Sequence, residues 1–153
     1  LYNIKNIAIF QEDIYIGSGE QLIVWDKYGK FKRVLSKKDN DPQSYLYFEH
    51  FMIWPNGDLS IASTNEIVTY SNSHQFINKK RYENVGYIEA ITLLSDSLYI
   101  IKCMPTPDRL RYRIINHHTG TIINSYDSII NCKGKEGMQL MLEEAEKGLQ
   151  RNP

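Results

Sequence analysis

The 153-residue sequence has only two cysteines, Cys103 and Cys132, and they form no C-x-x-C pair. That removes zinc-ribbon and thioredoxin-like readings, which need thiols at short spacing. Both are expected to be unlinked, partly buried thiols that pack like small hydrophobes. Net charge is also missing, because 18 Lys and Arg balance 18 Asp and Glu. A neutral chain exerts no long-range pull on nucleic acid or an anionic membrane, so neither is an expected partner. No apolar run approaches the roughly 18 residues a membrane span needs. Membrane attachment is expected only through a lipid anchor outside this chain. The sequence starts at Leu1, not Met, so a processed product or a piece of a longer protein is expected.

Signatures of chemistry are equally scarce. The histidines His50, His74, His117 and His118 stand at no zinc-ligand spacing to a Cys or to one another. They are expected to be structural or solvated, with His117 and His118 in a turn. "KKDNDPQ" (37–43) opens like a calcium loop but lacks its Gly and closing Glu. "GSGEQL" lacks the third glycine of a dinucleotide fingerprint, and "CKGKEG" lacks the GK[ST] end of a P-loop. No Ser sits in a G-x-S-x-G elbow. Among the carboxylates Glu49, Asp58, Glu89 and Asp96, Asp58 and Asp96 read as turn caps. No catalytic residue, metal ligand or cofactor is assigned.

A repeat is what the sequence does contain. "DIYIGSGEQLIVWDKYGKF" (13–31) lies without gaps over "DLSIASTNEIVTYSNSHQF" (58–76), 45 residues later. Ile14 meets Leu59, Ile16 meets Ile61, Ile23 meets Val68, Trp25 meets Tyr70 and Phe31 meets Phe76. Residue class persists at apolar positions while polar ones drift, as a shared packing role demands. A looser third copy sets Leu98 on Ile14 and Tyr99 on Tyr15 at an offset of 84, and Gly120 on Gly29 at 91. The intervening insertion contains "MPTPD", whose prolines belong in a loop.

Each copy holds four short apolar runs. They are Ile4–Phe10, Ile14–Ile16, Leu22–Trp25 and Phe31–Leu35, then Phe48–Trp54, Leu59–Ala62, Ile67–Tyr70 and Phe76–Lys80. The third set is Tyr87–Leu94, Leu98–Cys103, Leu110–Asn116 and Thr121–Tyr126. Turn residues separate them, including the Asn56–Gly57 pair typical of a hairpin. Eleven tyrosines suit strands. Four antiparallel strands per 40–45 residues describe a propeller blade. The expected fold is all-β and β-propeller-like, with three blades at about 3–38, 46–83 and 86–128 in a domain 1–130. A β-sandwich also offers regular short strands but has no need of a gap-free repeat. Met138, Met141, Leu142, Ala145 and Leu149 recur at helical spacing, so 131–153 is expected to be an amphipathic helix and tail.

The stretch "IYIGSGEQLIVWDKYGKFKRVLSKKDNDPQSYLYFEHFMIWPNGDLSIAS" resembles the opening blades of six-bladed β-propeller proteins of Bacteroidota. Trp25–Asp26, the Gly29–Lys30–Phe31 turn, Pro42, Tyr45 and "FMIWPNGDLSI" carry the likeness, which covers about residues 3 to 127. The link "KKDNDPQSY" departs from the family's Gly-rich form, and three blades are half of six. The resemblance implies a propeller fold and an exported or lipid-anchored protein, at the periplasm or cell surface.

Two aromatic and basic clusters are candidate binding residues. Lys37, Lys38, Tyr45 and Tyr47 lie on an inter-blade link. Arg109, Arg111, Tyr112 and Arg113 follow the prolines. Aromatic faces stack on sugars or bases and cations hold anions. Arg109, Arg111 and Arg113 share one strand face, which equally describes an edge strand guarded by charge. The expected function is non-catalytic binding or assembly, through a protein partner or self-association of exposed blade faces. A small-molecule or glycan sensor, or a lyase or hydrolase at the channel mouth, is the alternative.

Overall fold

The computed structural model describes residues 3–19, 21–35, 43–45, 47–83, 85–104 and 110–126. The described residues form twelve strands and no helix. They are β1 (Ile4–Phe10), β2 (Asp13–Ser18), β3 (Gln21–Asp26), β4 (Phe31–Val34), β5 (His50–Ile53), β6 (Leu59–Ser63), β7 (Glu66–Tyr70), β8 (Phe76–Arg81), β9 (Ile88–Ser95), β10 (Leu98–Cys103), β11 (Tyr112–Asn116) and β12 (Ile122–Tyr126). The helix expected over 131–153 lies outside the described residues, as does Cys132.

Every apolar run has become a strand. The strands form three four-stranded antiparallel meanders, β1 to β4, β5 to β8 and β9 to β12. The sheets stack face to face in chain order as blades 1, 2 and 3. Between blades 1 and 2 lie Tyr15, Leu22, Val24, Tyr45, Phe48, Phe51, Leu59, Ile61 and Val68, all buried. Between blades 2 and 3 lie Met52, Ala62, Ile67, Tyr82, Ile88, Ile91, Tyr99, Ile101 and Ile115. The first strand of each blade is innermost, with β5 touching both β1 and β9. This is the radial order of a propeller, not the paired layers of a sandwich.

Burial follows from this order. Blade 2 is covered on both faces, so β6 is buried at every residue. Three of its buried polar side chains partner one another: Trp54 Nε1 donates to Ser60 Oγ at 2.9 Å, and Ser60 Oγ lies 3.1 Å from Thr69 Oγ1. Satisfying these groups removes the desolvation cost of burying them.

The last hairpin of each blade uses one device three times. Asp26 Oδ1 accepts from the Tyr28 and Lys30 N–H groups. Ser71 Oγ accepts from the Gln75 N–H, and Asn116 Oδ1 from the His118 and Thr119 N–H groups. Gly29, His74 and Gly120 then take φ of 80°, 63° and 63°. The match of Gly120 to Gly29 read from sequence therefore holds, and His74 fills the same left-handed position.

The third copy's strand register differs from the expected one. Leu93 pairs with Tyr99, as Ile9 pairs with Ile14 and Ile53 with Leu59. A bulge between Leu98 and Tyr99 absorbs one residue. Tyr99, not Leu98, thus takes the place of Ile14, and Leu98 faces the other way beside Ile114. A one-residue slip exchanges the two faces of a strand.

Gly17 is required at the first interface. A Cβ there would stand 2.5 Å from Cε1 and Cζ of Phe48. Gly17→Ala is expected to destabilise the chain by about 1–3 kcal/mol through overpacking. Denaturant unfolding should show a lower midpoint at constant slope; an unchanged midpoint would show that Phe48 moves aside freely.

Candidate functional site

Antiparallel order gives each blade two ends. Chain leaves β4 and β8, and enters β5 and β9, at the same end at which β10 leaves and β11 begins. Both candidate clusters therefore attach to one end of the stack. Lys37, Lys38 and Arg109 lie outside the described residues.

The others do not form one surface. Tyr45 is 1% exposed, with its ring 6.0 Å from that of Phe48, so it is core and not a ligand platform. Tyr47 is 49% exposed, and its N–H donates to Ser63 Oγ at 3.1 Å. Arg111 is exposed, and Tyr112 is half-buried opposite Lys102 and Tyr126. Arg113 is 2% exposed and stands opposite Ile101, on the face turned to blade 2. The expected edge strand of arginines is also corrected, because β11 is an inner strand between β10 and β12.

A different cluster stands at this end, where the innermost strands begin. Lys5 Nζ donates to Glu49 Oε2 at 3.0 Å and to the Phe48 carbonyl at 2.5 Å. The Tyr87 hydroxyl donates to Glu49 Oε1. Burial first, and then the Glu49 carboxylate, push the Tyr87 hydroxyl up to about 12. Tyr87 is therefore a proton donor at neutral pH, and both Glu49 oxygens are engaged. One residue from each blade's leading segment takes part, so the cluster ties three blades at the axis. Lys5, Glu49 and Glu89 recur at spacings of 44 and 40 residues, each two positions ahead of the equivalent Ile7, Phe51 and Ile91. Glu89 in turn holds Lys102 at 2.8 Å.

At the opposite end a cleft of about 270 Å³ is lined by Trp54, Pro55, Asn56, Asp96, His117 and His118. The His117 ring lies 3.8 Å from that of Trp54, centroid to centroid. A smaller pocket of about 50 Å³, between blades 2 and 3, includes Ser60, Thr69, Tyr82, Tyr99 and His117. The Tyr82 and Tyr99 hydroxyls meet there at 2.7 Å. Sequence marked His117 only as a turn residue; its stacking on Trp54 spans two blades and has no local signature. No group of three His, Cys, Asp or Glu among the described residues is placed to hold a metal.

Burial lowers the pKa of His50, His74 and His117, and His118 lowers that of His117 further. Such groups bind protons more readily in the unfolded chain, whose histidines titrate near 6.5. Their contribution to stability is full above about pH 6.5 and is lost as pH falls through the folded values. Unfolding midpoints should therefore drop between about pH 7.5 and 5, and His117→Gln should flatten that slope; an unaltered slope would show that His117 does not titrate with unfolding. Tyr87→Phe should cost about 1 kcal/mol by removing one hydrogen bond to Glu49, read in the same unfolding curves.

Comparison with known proteins agrees with this architecture. The sequence model of a family described as a 6-bladed beta-propeller matches residues 1–148. A solved structure from Bacteroides fragilis, of a protein described as exported, superposes with TM-score 0.70 at 15% identity, over 82% of this chain and 37% of that one. The WD40 propeller domain of Doa1 gives TM-score 0.62 at 16% identity, over 82% and 40% of the two chains. The WD40 repeats of RRP9 give 0.64 at 12%, over 83% and 39%. Among curated proteins, an adenine deaminase of Lysinibacillus sphaericus is 28% identical over 96 residues, 63% of this chain and 16% of that protein. The chain thus spans well under half the length of each.

Proposed function

The chain belongs to the six-bladed β-propeller family, and from that premise we propose that it is a non-catalytic binding and assembly module of an exported protein. The outer face of blade 1 carries this reading. Strand pairing aligns Ile7, Ile16, Ile23 and Val34 in one cross-strand row, and Ile9, Ile14, Trp25 and Phe31 in the next. Ile7 and Ile9 are 57% and 73% exposed, and Phe31 and Val34 are exposed beside them. Contiguous apolar surface on this scale marks an association site. The occupant is a protein partner or a second copy, and Tyr47 and Arg111 add polar contacts at the linker end.

Export is supported by the likeness to the Bacteroides protein and by the resemblance of the repeat to Bacteroidota propellers. At the inner-end cluster Lys5 and Tyr87 already hold both Glu49 oxygens, which disfavours Glu49 as the base of a lyase or hydrolase. The likeness to an adenine deaminase takes in only 16% of that protein. The cleft beside His117 favours a second reading as a small-ligand sensor, for which thermal stabilisation by a mono- or disaccharide panel is the test.

Sedimentation and native mass spectrometry test the first reading. The wild type should capture apolar dye and associate as concentration rises. Ile9→Asp should lose both properties and keep its far-ultraviolet dichroism. Equal dye binding and equal mass in the two proteins would overturn the assignment of this face.

A further inference from the structure

Blade 2 departs from its neighbours at two buried positions, and both open on the smaller pocket between blades 2 and 3. Strand pairing sets Ser60 opposite Thr69, where blade 1 has Tyr15 opposite Val24 and blade 3 has Ile100 opposite Ile114. Ser60 and Thr69 are 1% and 4% exposed. Packing asks for no hydroxyl at either place, and burying one is costly unless it is bonded.

Hydrogen-bond donors outnumber acceptors in this pocket. Ser60 Oγ accepts from Trp54 Nε1 and lies 3.1 Å from Thr69 Oγ1. One hydroxyl proton fills that contact whichever way it points, and the second is left over. The Tyr82 and Tyr99 hydroxyls, 2.7 Å apart, likewise spend one proton of their two. Burial pushes both tyrosines up in pKa, so both remain protonated donors. Lys80 Nζ donates one proton to the Thr119 carbonyl and keeps two. These five side chains all line the pocket, and no Asp or Glu among the described residues joins them. Its volume of about 50 Å³ exceeds the ~10–15 Å³ that one water needs and suits a four-oxygen group.

We propose that this pocket seats a tetrahedral oxyanion, the phosphate or sulfate group of a small monoester whose body lies in the adjoining cleft, an inference that rests on the small-ligand reading of that cleft. The two spaces share His117 and His118. An ionised phosphate or sulfate group accepts through its outer oxygens and donates nothing. Water would add two donors to a pocket already rich in them. In the cleft, Asp96 and Asn56 accept from hydroxyls of the ester's body, and Pro55 gives it an apolar wall.

Calorimetric titration and thermal unfolding test this, with glucose, glucose phosphate, glucose sulfate, inorganic phosphate and inorganic sulfate as probes, against chloride at equal ionic strength. One of the two esters should bind at one site per chain and raise the melting temperature by about 3 °C or more. Glucose and the matching inorganic anion should each do less, and the preferred ester identifies the anion. Lys80→Met should weaken ester binding about tenfold or more, and Lys80→Arg should keep it. Lys79→Met should also keep it, because Lys79 pairs with Glu66 instead. Glucose acting as strongly as its esters would overturn the oxyanion seat and leave the small-ligand reading intact. Inorganic anions binding where neither ester does would overturn the cleft's part and uphold the seat. Ester binding unchanged in Lys80→Met, or weakened equally in Lys79→Met, would overturn the seat. No response to any probe would overturn both the seat and the small-ligand reading.

Discussion

A four-stranded sheet with apolar residues on both faces cannot satisfy itself in water, and every feature of this chain follows from that constraint. Alternation puts one set of side chains on each face. A blade therefore needs a neighbour on either side. Blade 2 has both, and β6 is buried throughout. Blade 1 has one, and its other face shows Ile7, Ile9 and Phe31 to solvent. The apolar positions recur at fixed spacing because every interface repeats the same packing problem.

Apolar packing alone leaves adjacent blades free to slide, and polar links that cross the interfaces remove that freedom. Lys80 of β8 lies across Gly120 and donates to the Thr119 carbonyl, joining blade 2 to the last hairpin of blade 3. The Tyr82 and Tyr99 hydroxyls meet at the same interface. Asn6 Nδ2 donates to the Phe51 carbonyl at 2.9 Å, and Lys5, Glu49 and Tyr87 close the inner ends. Hydrogen bonds contribute modestly to stability, but they fix geometry. Binding loops of a propeller depend on that fixed geometry for their reach.

Much of the fold was legible because the repeat of 13–31 over 58–76 encodes a face, and a face implies a neighbour. The slip in the third copy came from "SDSL": a bulge costs one residue of register without changing apolar content, so Leu98 and Tyr99 look interchangeable in sequence. Tyr45 and Arg113 were read by side-chain type as ligand contacts. Tyr45 is core because its ring packs edge-on against that of Phe48. Arg113 sits where its repeat equivalent Val68 sits, and position outweighed charge. The clustering of Lys5, Glu49 and Tyr87, and of Trp54 with His117, joins residues 38 to 63 positions apart on different blades, beyond any local pattern.

The central claim is that stability resides in the contacts between blades and that blade 1 lacks one of them. Native-state hydrogen exchange on the monomeric chain tests it most directly, because it ranks the free energies of partial opening strand by strand. The amides of β6 and β7, covered on both faces, should exchange slowest and only through global unfolding. Those of β2 and β3 should open earlier and at lower cost. Equal protection of β2, β3, β6 and β7 would mean that single sheets hold themselves, and the account would fail.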